Sequence, residues 1–298
     1  MSKITETATT NLNKFETYLL DNAYSPNTVK GYISDLKLYA TWYNNQHKDM
    51  DILDRQDVIA YKTYLKNSKR QDSKTINHKL CSLKKYNEYL IDIDIMDTMV
   101  VIKKDMFKVQ TEFANPTDVS KEEVKDFFDK IKNDNKRTSV RDFAIVYLLA
   151  YTGIRISECL NIQHKDLDLD EQELLINNGK GNKQRIVYLN DNVCDVLRDY
   201  LNNNRNYKNY GDFVKSQYVF ISSRSKKLTT SRVNQIFDKY NSNIHPHSLR
   251  HWFCTNALES GMMLHEIANQ AGHGNIQTTM RYTNPTKQTL KAKMNCLQ

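Results

Sequence analysis

Residues 140–151, VRDFAIVYLLAY, constrain the fold of this chain more than any other stretch. The run turns from amphipathic to almost wholly apolar, and Gly153 stands just beyond it. A helix apolar on most of its faces has to be enclosed by other elements, and a glycine past its end supplies a left-handed stop. The spacing therefore predicts the buried central helix of a domain in the second half of the chain. No apolar run approaches the length of a membrane span.

The first hundred residues carry four helical patterns. In the clearest, Ser25 is placed to cap a helix and Pro26 occupies its first turn. Val29, Tyr32, Ile33, Leu36, Tyr39, Ala40 and Tyr43 then recur at the spacing of one buried face. Two further helices, DRQDVIAYKTYLKNS and DSKTINHKLCSLKKYNEYL, are joined by a turn at Lys69-Arg70-Gln71. Core packing is the expected role of most of the 18 tyrosines. The length of 298 residues suits two domains. Residues 1–97 form the first and 119–298 the second, with an extended, partly basic connector at 98–118. Ser120 and Glu123 restart the helices with a capping box. Between Asp166 and Leu189, DLDLDEQELLINN and KQRIVYL read as strands around the turn Asn178-Gly179-Lys180-Gly181-Asn182. Tyr218–Ile221 reads as a lone strand. The expected class is mainly α, with a small β-ribbon carrying a lysine near its tip.

Lys and Arg number 43 against 35 acidic residues, a net charge of +8. Nucleic acid is the first partner such a balance suggests, although it also serves plain solubility. The distribution says more. Lys62, Lys66, Lys69, Arg70, Lys74, Lys79, Lys84 and Lys85 are opposed within their stretch only by Asp72, as expected of a surface facing phosphates. The 5 cysteines are scattered and form no CxxC, which argues against a disulfide framework or a zinc ribbon. The polar N-terminus lacks the apolar core of a signal peptide. A soluble protein of a reducing compartment is expected.

Three short motifs carry the chemistry. In HPHSLRHW (245–252), His247 and His251 have the i, i+4 spacing of helical zinc ligands. Yet Ser248 stands where a metalloprotease needs glutamate, and no acid follows until Glu259. As an anion site the same stretch places His247 and Arg250 on one helical face, with Leu249 and Phe253 as core anchors. In TGIRISE (152–158), Arg155 follows the helix-ending glycine, and Glu158 is placed to form an ion pair with it. In AGHG (271–274), His273 sits between glycines, and Tyr282 follows.

Taken together, TGIRISE, GKGNKQR, HSLRH, AGH and Tyr282, in that order over residues 152–282, resemble the active-site motifs of the tyrosine recombinases, the phage integrase family. SPNTVKGYISDLKLYATW is similar to that family's helical core-binding, SAM-like domain, so the resemblance covers nearly the whole chain. It is closest to the compact Xer-like and transposon-encoded members. The resemblance implies a site-specific DNA recombinase of mixed α/β catalytic domain, independent of metal, ATP and other cofactors. In it Tyr282 is the nucleophile and forms a 3′-phosphotyrosyl link, while Arg155 and Arg250 clamp the phosphate. Lys180 protonates the leaving oxygen, with Lys183 its nearest competitor. His247 assists proton transfer, His273 donates to the phosphate, and Glu158 supports Arg155. It further implies double-stranded DNA as partner, a homotetramer on two sites, and a cytoplasmic, prokaryotic setting without membrane. TKQTLKAKMNCLQ is then either a C-terminal helix docking on a neighbouring subunit or a frayed basic tail. Cys159, Trp252-Phe253-Cys254 and AGH depart from common family residues without removing a catalytic group. A type IB topoisomerase and a catalytically silent DNA-binding regulator are the rival functions.

Overall fold

In the computed structural model, the structure is described for residues 6–45, 52–109, 119–136, 138–177, 184–205, 216–222, 227–241, 243–275, 277–280 and 295. The chain divides into two compact units between Thr111 and Glu112.

The first unit is built on α1 (Glu6–Asp21), α2 (Pro26–Asn44), α3 (Arg55–Asn67) and α4 (Ser73–Asp92). Their starts follow from local chemistry. Ser25 Oγ accepts the Thr28 amide at 3.2 Å with Pro26 in the first turn, and Asp54 and Asp72 cap α3 and α4 in the same way. Arg70 takes up a left-handed conformation, φ 49°, which closes the turn between α3 and α4. Tyr39, Tyr61 and Tyr86 are fully buried, so the tyrosine-rich faces point inward as expected. Tyr61 meets Tyr39 edge-on with centroids 4.9 Å apart, and Trp42 at the same distance.

The expected connector behaves differently over its first ten residues. Val101 is fully buried in the core of the first unit, and Val100, Met106 and Phe107 pack against it. Three side chains hold this segment. The buried Asn87 takes the Val100 and Val101 amides at 2.6 and 3.2 Å and donates to Thr98 O. Asn77 bonds the Phe107 backbone through both of its polar atoms. Arg55 forks onto Asp105 at 2.5 and 2.7 Å and donates to Val100 O. Backbone groups that would otherwise need a strand partner are satisfied by these side chains. Hydrophobic periodicity does not register such clamps. Residues 110–118 lie outside the described residues.

The second unit comprises α5 (Lys121–Lys132), α6 (Ser139–Thr152), α7 (Ile156–Cys159), β1 (Leu167–Asp168), β2 (Glu173–Ile176), β3 (Arg185–Tyr188), α8 (Asp191–Arg205), α9 (Thr230–Tyr240), α10 (Pro246–Glu259), α11 (Leu264–Ala271) and α12 (Gln277–Met280). The apolar run forms α6, which packs against α5, α8 and α10 and buries Ala144, Ile145, Val146, Leu148, Leu149 and Ala150. Gly153 ends it at φ 63°. A Cβ there would fall on the ring of Phe253, so the glycine also sets how closely α10 approaches. The Ser120 and Glu123 capping box starts α5. The three strands pair antiparallel in the order β1-β2-β3, with Leu174 opposite Val187. Leu174, Ile176 and Val187 turn inward, while Ile186 and Tyr188 face out. Tyr218–Ile221 does not extend this sheet. It runs beside the loop after α7, with one bridge from Tyr218 to Gln163 and the Val219 amide on Ile162 O.

Candidate active site

Arg155 emerges between the glycine stop and α7, and one carboxylate fixes it. The Glu158 side chain accepts the Arg155 amide at 2.8 Å and Nη1 at 2.9 Å. A glutamate in the first turn of a helix is well placed to take such an orphan amide. The other terminal nitrogen of Arg155 donates to Gly272 O at 2.7 Å. Glu158 itself is buried.

A second arginine, absent from the sequence-based set of roles, shares that carboxylate. Arg185 at the start of β3 donates Nη1 to Glu158 Oε1 at 2.9 Å and Nη2 to Oε2 at 2.8 Å. Its Nη2 also reaches Ala271 O at 3.2 Å, and Nε lies 3.4 Å from Gln270 O. Burial pushes the Glu158 carboxyl up, but the Arg185 bonds, the Arg155 amide and both guanidinium charges outweigh burial and hold it below the usual range. The signal for Arg185 was present in the strand alternation. It lies two residues from Val187, on the inward face, where an arginine requires an acid.

Arg250 reaches the same region from α10. It is 5% exposed, and Nη1 donates to Gly153 O at 2.5 Å. Among the described residues no carboxylate lies within ion-pair distance of it. Burial first, and then the like charge of Arg155, lower its pKa to about 10. His273 follows the left-handed Gly272 (φ 72°), and its Nδ1 lies 2.7 Å from Thr279 Oγ1. Burial, then Arg250 and Arg155, push its pKa down to about 4, so the ring is neutral near pH 7. When the Thr279 hydroxyl donates to Nδ1, Nε2 carries the hydrogen and becomes a neutral donor. A cavity of about 450 Å³ opens beside this group, lined in part by Arg155, Arg185, Tyr188, Gly272 and His273.

His247 lies on the first turn of α10. Its Nε2 is 3.0 Å from His251 Nε2, with the rings edge to face. His251, one turn further along α10, is thus a direct hydrogen-bond partner of His247. Lys180, Lys183, Tyr282 and the C-terminal stretch TKQTLKAKMNCLQ, apart from Asn295, lie outside the described residues.

The basic stretch of the first unit separates into two sets. Lys66, Lys69, Arg70 and Lys74 are exposed, with Lys62 half-buried and its ammonium 4.4 Å from the Phe107 ring centre. Lys79 corrects the expectation of a phosphate contact. It is buried and its ammonium sits 3.3 Å from Asp35, which also accepts Ser82 and meets His78. Lys85 is likewise committed, 3.0 Å from Glu88, and Lys84 reaches the same carboxylate at 3.8 Å.

Residues 118–289 match the phage integrase family, and residues 12–93 match its N-terminal SAM-like domain. A TnP I resolvase of Bacillus thuringiensis is 45% identical over 285 residues, covering 95% of this chain and 98% of the resolvase. A tyrosine recombinase XerC of Pediococcus pentosaceus is 30% identical, covering 94% of this chain and 95% of its own. Among solved structures, the Tn1549 transposon integrase bound to transposon right-end DNA superposes with a TM-score of 0.71 at 20% identity, over 96% of this chain and 99% of that one. The fold of two units, the arginines gathered on Glu158 and these likenesses lead to one assignment: the chain belongs to the phage integrase family and is a tyrosine site-specific recombinase of the Xer and transposon type.

Proposed function

We propose that the chain recombines the DNA of a mobile element, most simply by resolving its joined copies, through a 3′-phosphotyrosyl intermediate at Tyr282. Arg250 carries this reading. A buried guanidinium that meets no carboxylate among the described residues is costly unless an anion completes its surroundings, and a scissile phosphate does so. Arg155, half-exposed at the same place, supplies the second fork for the non-bridging oxygens. His273 is held as a neutral donor and so adds a hydrogen bond without a full charge.

In this mechanism the Tyr282 oxygen attacks phosphorus and the DNA 5′-oxygen leaves as a hydroxyl, protonated by Lys180. His247 takes up the tyrosine proton, and His251 holds its ring. Phosphoryl energy stays in the tyrosyl ester, so a 5′-hydroxyl of the partner strand reseals the backbone by the reverse displacement. No step calls on ATP. The exposed Lys66, Lys69, Arg70 and Lys74 hold the duplex backbone. A tetramer spanning two sites, with TKQTLKAKMNCLQ docked on a neighbour, supplies one tyrosine for each of the four strands to be cut. The setting is the bacterial cytoplasm, and no described helix is long and apolar enough to cross a membrane. The TnP I resolvase relative supports the choice of resolution.

Trapping on nicked DNA from the flanks of its own element tests this reading. A covalent protein–DNA adduct is expected, lost in Tyr282→Phe and unchanged by chelator. An adduct that persists in Tyr282→Phe sinks the assignment of the nucleophile.

A further inference from the structure

On the strand-transfer reading of the site, we propose that Arg185 is a positioning residue that occupies both oxygens of Glu158 and thereby leaves Arg155 available to the scissile phosphate. The geometry is that of a shared carboxylate. Glu158 Oε1 accepts from Arg155 Nη1 and Arg185 Nη1, each at 2.9 Å, while Oε2 takes Arg185 Nη2 and the Arg155 amide, each at 2.8 Å. Arg155 therefore holds the carboxylate through only one terminal nitrogen. The fork–fork pairing, the stronger arrangement, belongs to Arg185.

Charge explains why this division matters. Arg155 and Arg185 share one carboxylate, Arg250 stands on Gly153 O in the same region, and burial keeps His273 neutral. Among the described residues these groups therefore carry two net positive charges, the sign that a phosphodiester needs as it becomes a dianion at pentacoordinate phosphorus. Without Arg185, Glu158 faces Arg155 alone. A buried carboxylate with one guanidinium in reach draws it into a closed two-pronged pair, turned away from substrate. One of the two net charges is lost at the same time.

Arg185 also ties this electrostatic unit to the backbone that presents His273. Its guanidinium reaches Gln270 O and Ala271 O at the end of α11, and Arg155 reaches Gly272 O, the next carbonyl. A Cβ at Gly272 would fall on the Arg185 guanidinium, so the glycine makes room for it. A purely structural clip between β3 and α11 would use these same carbonyls, and the two roles differ in what removing the Glu158 charge does. If Arg185 acts by occupying Glu158, neutralising Glu158 compensates for its loss. If it is only a clip, the two losses accumulate.

Single-turnover adduct formation by the full chain on a nicked copy of its own site reads this directly, with site affinity and the thermal midpoint measured in parallel. Arg185→Ala is expected to slow adduct formation by about 30–100-fold, with affinity changed by less than about threefold. The double variant Arg185→Ala, Glu158→Gln is expected to cleave at least about fivefold faster than Arg185→Ala. Where alanine does not fold, Arg185→Lys keeps the charge but not the fork, and is expected to be about tenfold slow and likewise relieved by Glu158→Gln. Cleavage by Arg185→Ala within about threefold of wild type overturns the proposal. So does a double variant no faster than the single one. A wild-type chain giving no Tyr282-dependent adduct overturns the strand-transfer reading itself, and this role for Arg185 with it.

Discussion

In the first unit the cations are mostly lysines spread over helix faces, and Lys79, the buried one among the described residues, is neutralised by Asp35. In the second, arginines converge from a turn, a strand and a helix; two of them share the carboxylate of Glu158 and the third, Arg250, meets none among the described residues. The first pattern suits a long anion met from outside, where each contact is weak, solvated and interchangeable. The second suits one phosphate taken out of water, where every donor has a fixed place. A solvated lysine changes affinity and a buried arginine changes rate, so the two units should respond to mutation in different measurements.

The sharpest way to break the comparison is to treat the two kinds of cation alike. Arg250→Ala should lower single-turnover cleavage by about 10³-fold, and Arg250→Lys should recover little, because an ammonium cannot reproduce the fork. Lys66→Ala, by contrast, should leave cleavage at saturating DNA within about twofold of wild type. Equal losses in the two variants would mean that the arginine cluster has no special part in the chemistry.

Glycines separate the units in stability as lysines and arginines do in function. Gly153 lies at φ 63° with Phe253 against the space a Cβ would take, so Gly153→Ala should cost about 2–5 kcal/mol in urea unfolding. Gly31, in the middle of α2, has nothing within 4 Å of its missing Cβ. Gly31→Ala should therefore stabilise the first unit by about 0.5–1 kcal/mol. A neutral Gly153→Ala would show that α6 and α10 are not held at contact by that residue.

Acid should act on the second unit through His273. Its folded pKa of about 4 lies below the ordinary value of 6.5, so the unfolded chain binds the proton more readily. The stability that goes with a neutral His273 is complete above pH 6.5 and is lost as pH falls from there toward about 4. Unfolding at pH 7.5, 6 and 5 should show this slope in the wild type and a shallower one in His273→Gln. An unchanged slope would assign the acid sensitivity to other groups.

What could be read from sequence follows the same physics. α6 was legible because an apolar run ending in glycine has few other uses, and α2 because Ser25, Pro26 and a regular apolar stripe agree. Arg155, Arg250 and His273 could be picked out because each sits in a short motif beside a glycine or a helix start. The clamps of Asn77 and Asn87 were not legible, since an amide 13 or 30 residues from its backbone partner leaves no local pattern. Arg185 fell between the two cases. Its strand register was readable, but its partner Glu158 lies 27 residues away in an element four residues long. Pairings of that kind are fixed by tertiary packing, as is the burial of Lys79, which sequence alone counts as one more surface charge.

That miscounted lysine supplies the finest test. Lys74 lies exposed in the first turn of α4, five residues before Lys79 in the same helix. If duplex phosphates are held by exposed cations, Lys74→Ala removes one released counterion. The slope of log affinity against log salt should then fall by about 0.9, with affinity reduced only severalfold at moderate salt. Lys79→Met should leave that slope unchanged, because its ammonium already faces Asp35 and releases no counterion on binding. Its effect should appear instead in the unfolding of the first unit, where Asp35 keeps Ser82 and His78 but loses a buried cation. Equal slope changes for the two lysines would mean that Lys79 turns out to meet DNA, and that the boundary between solvated and committed cations shifts when the duplex binds.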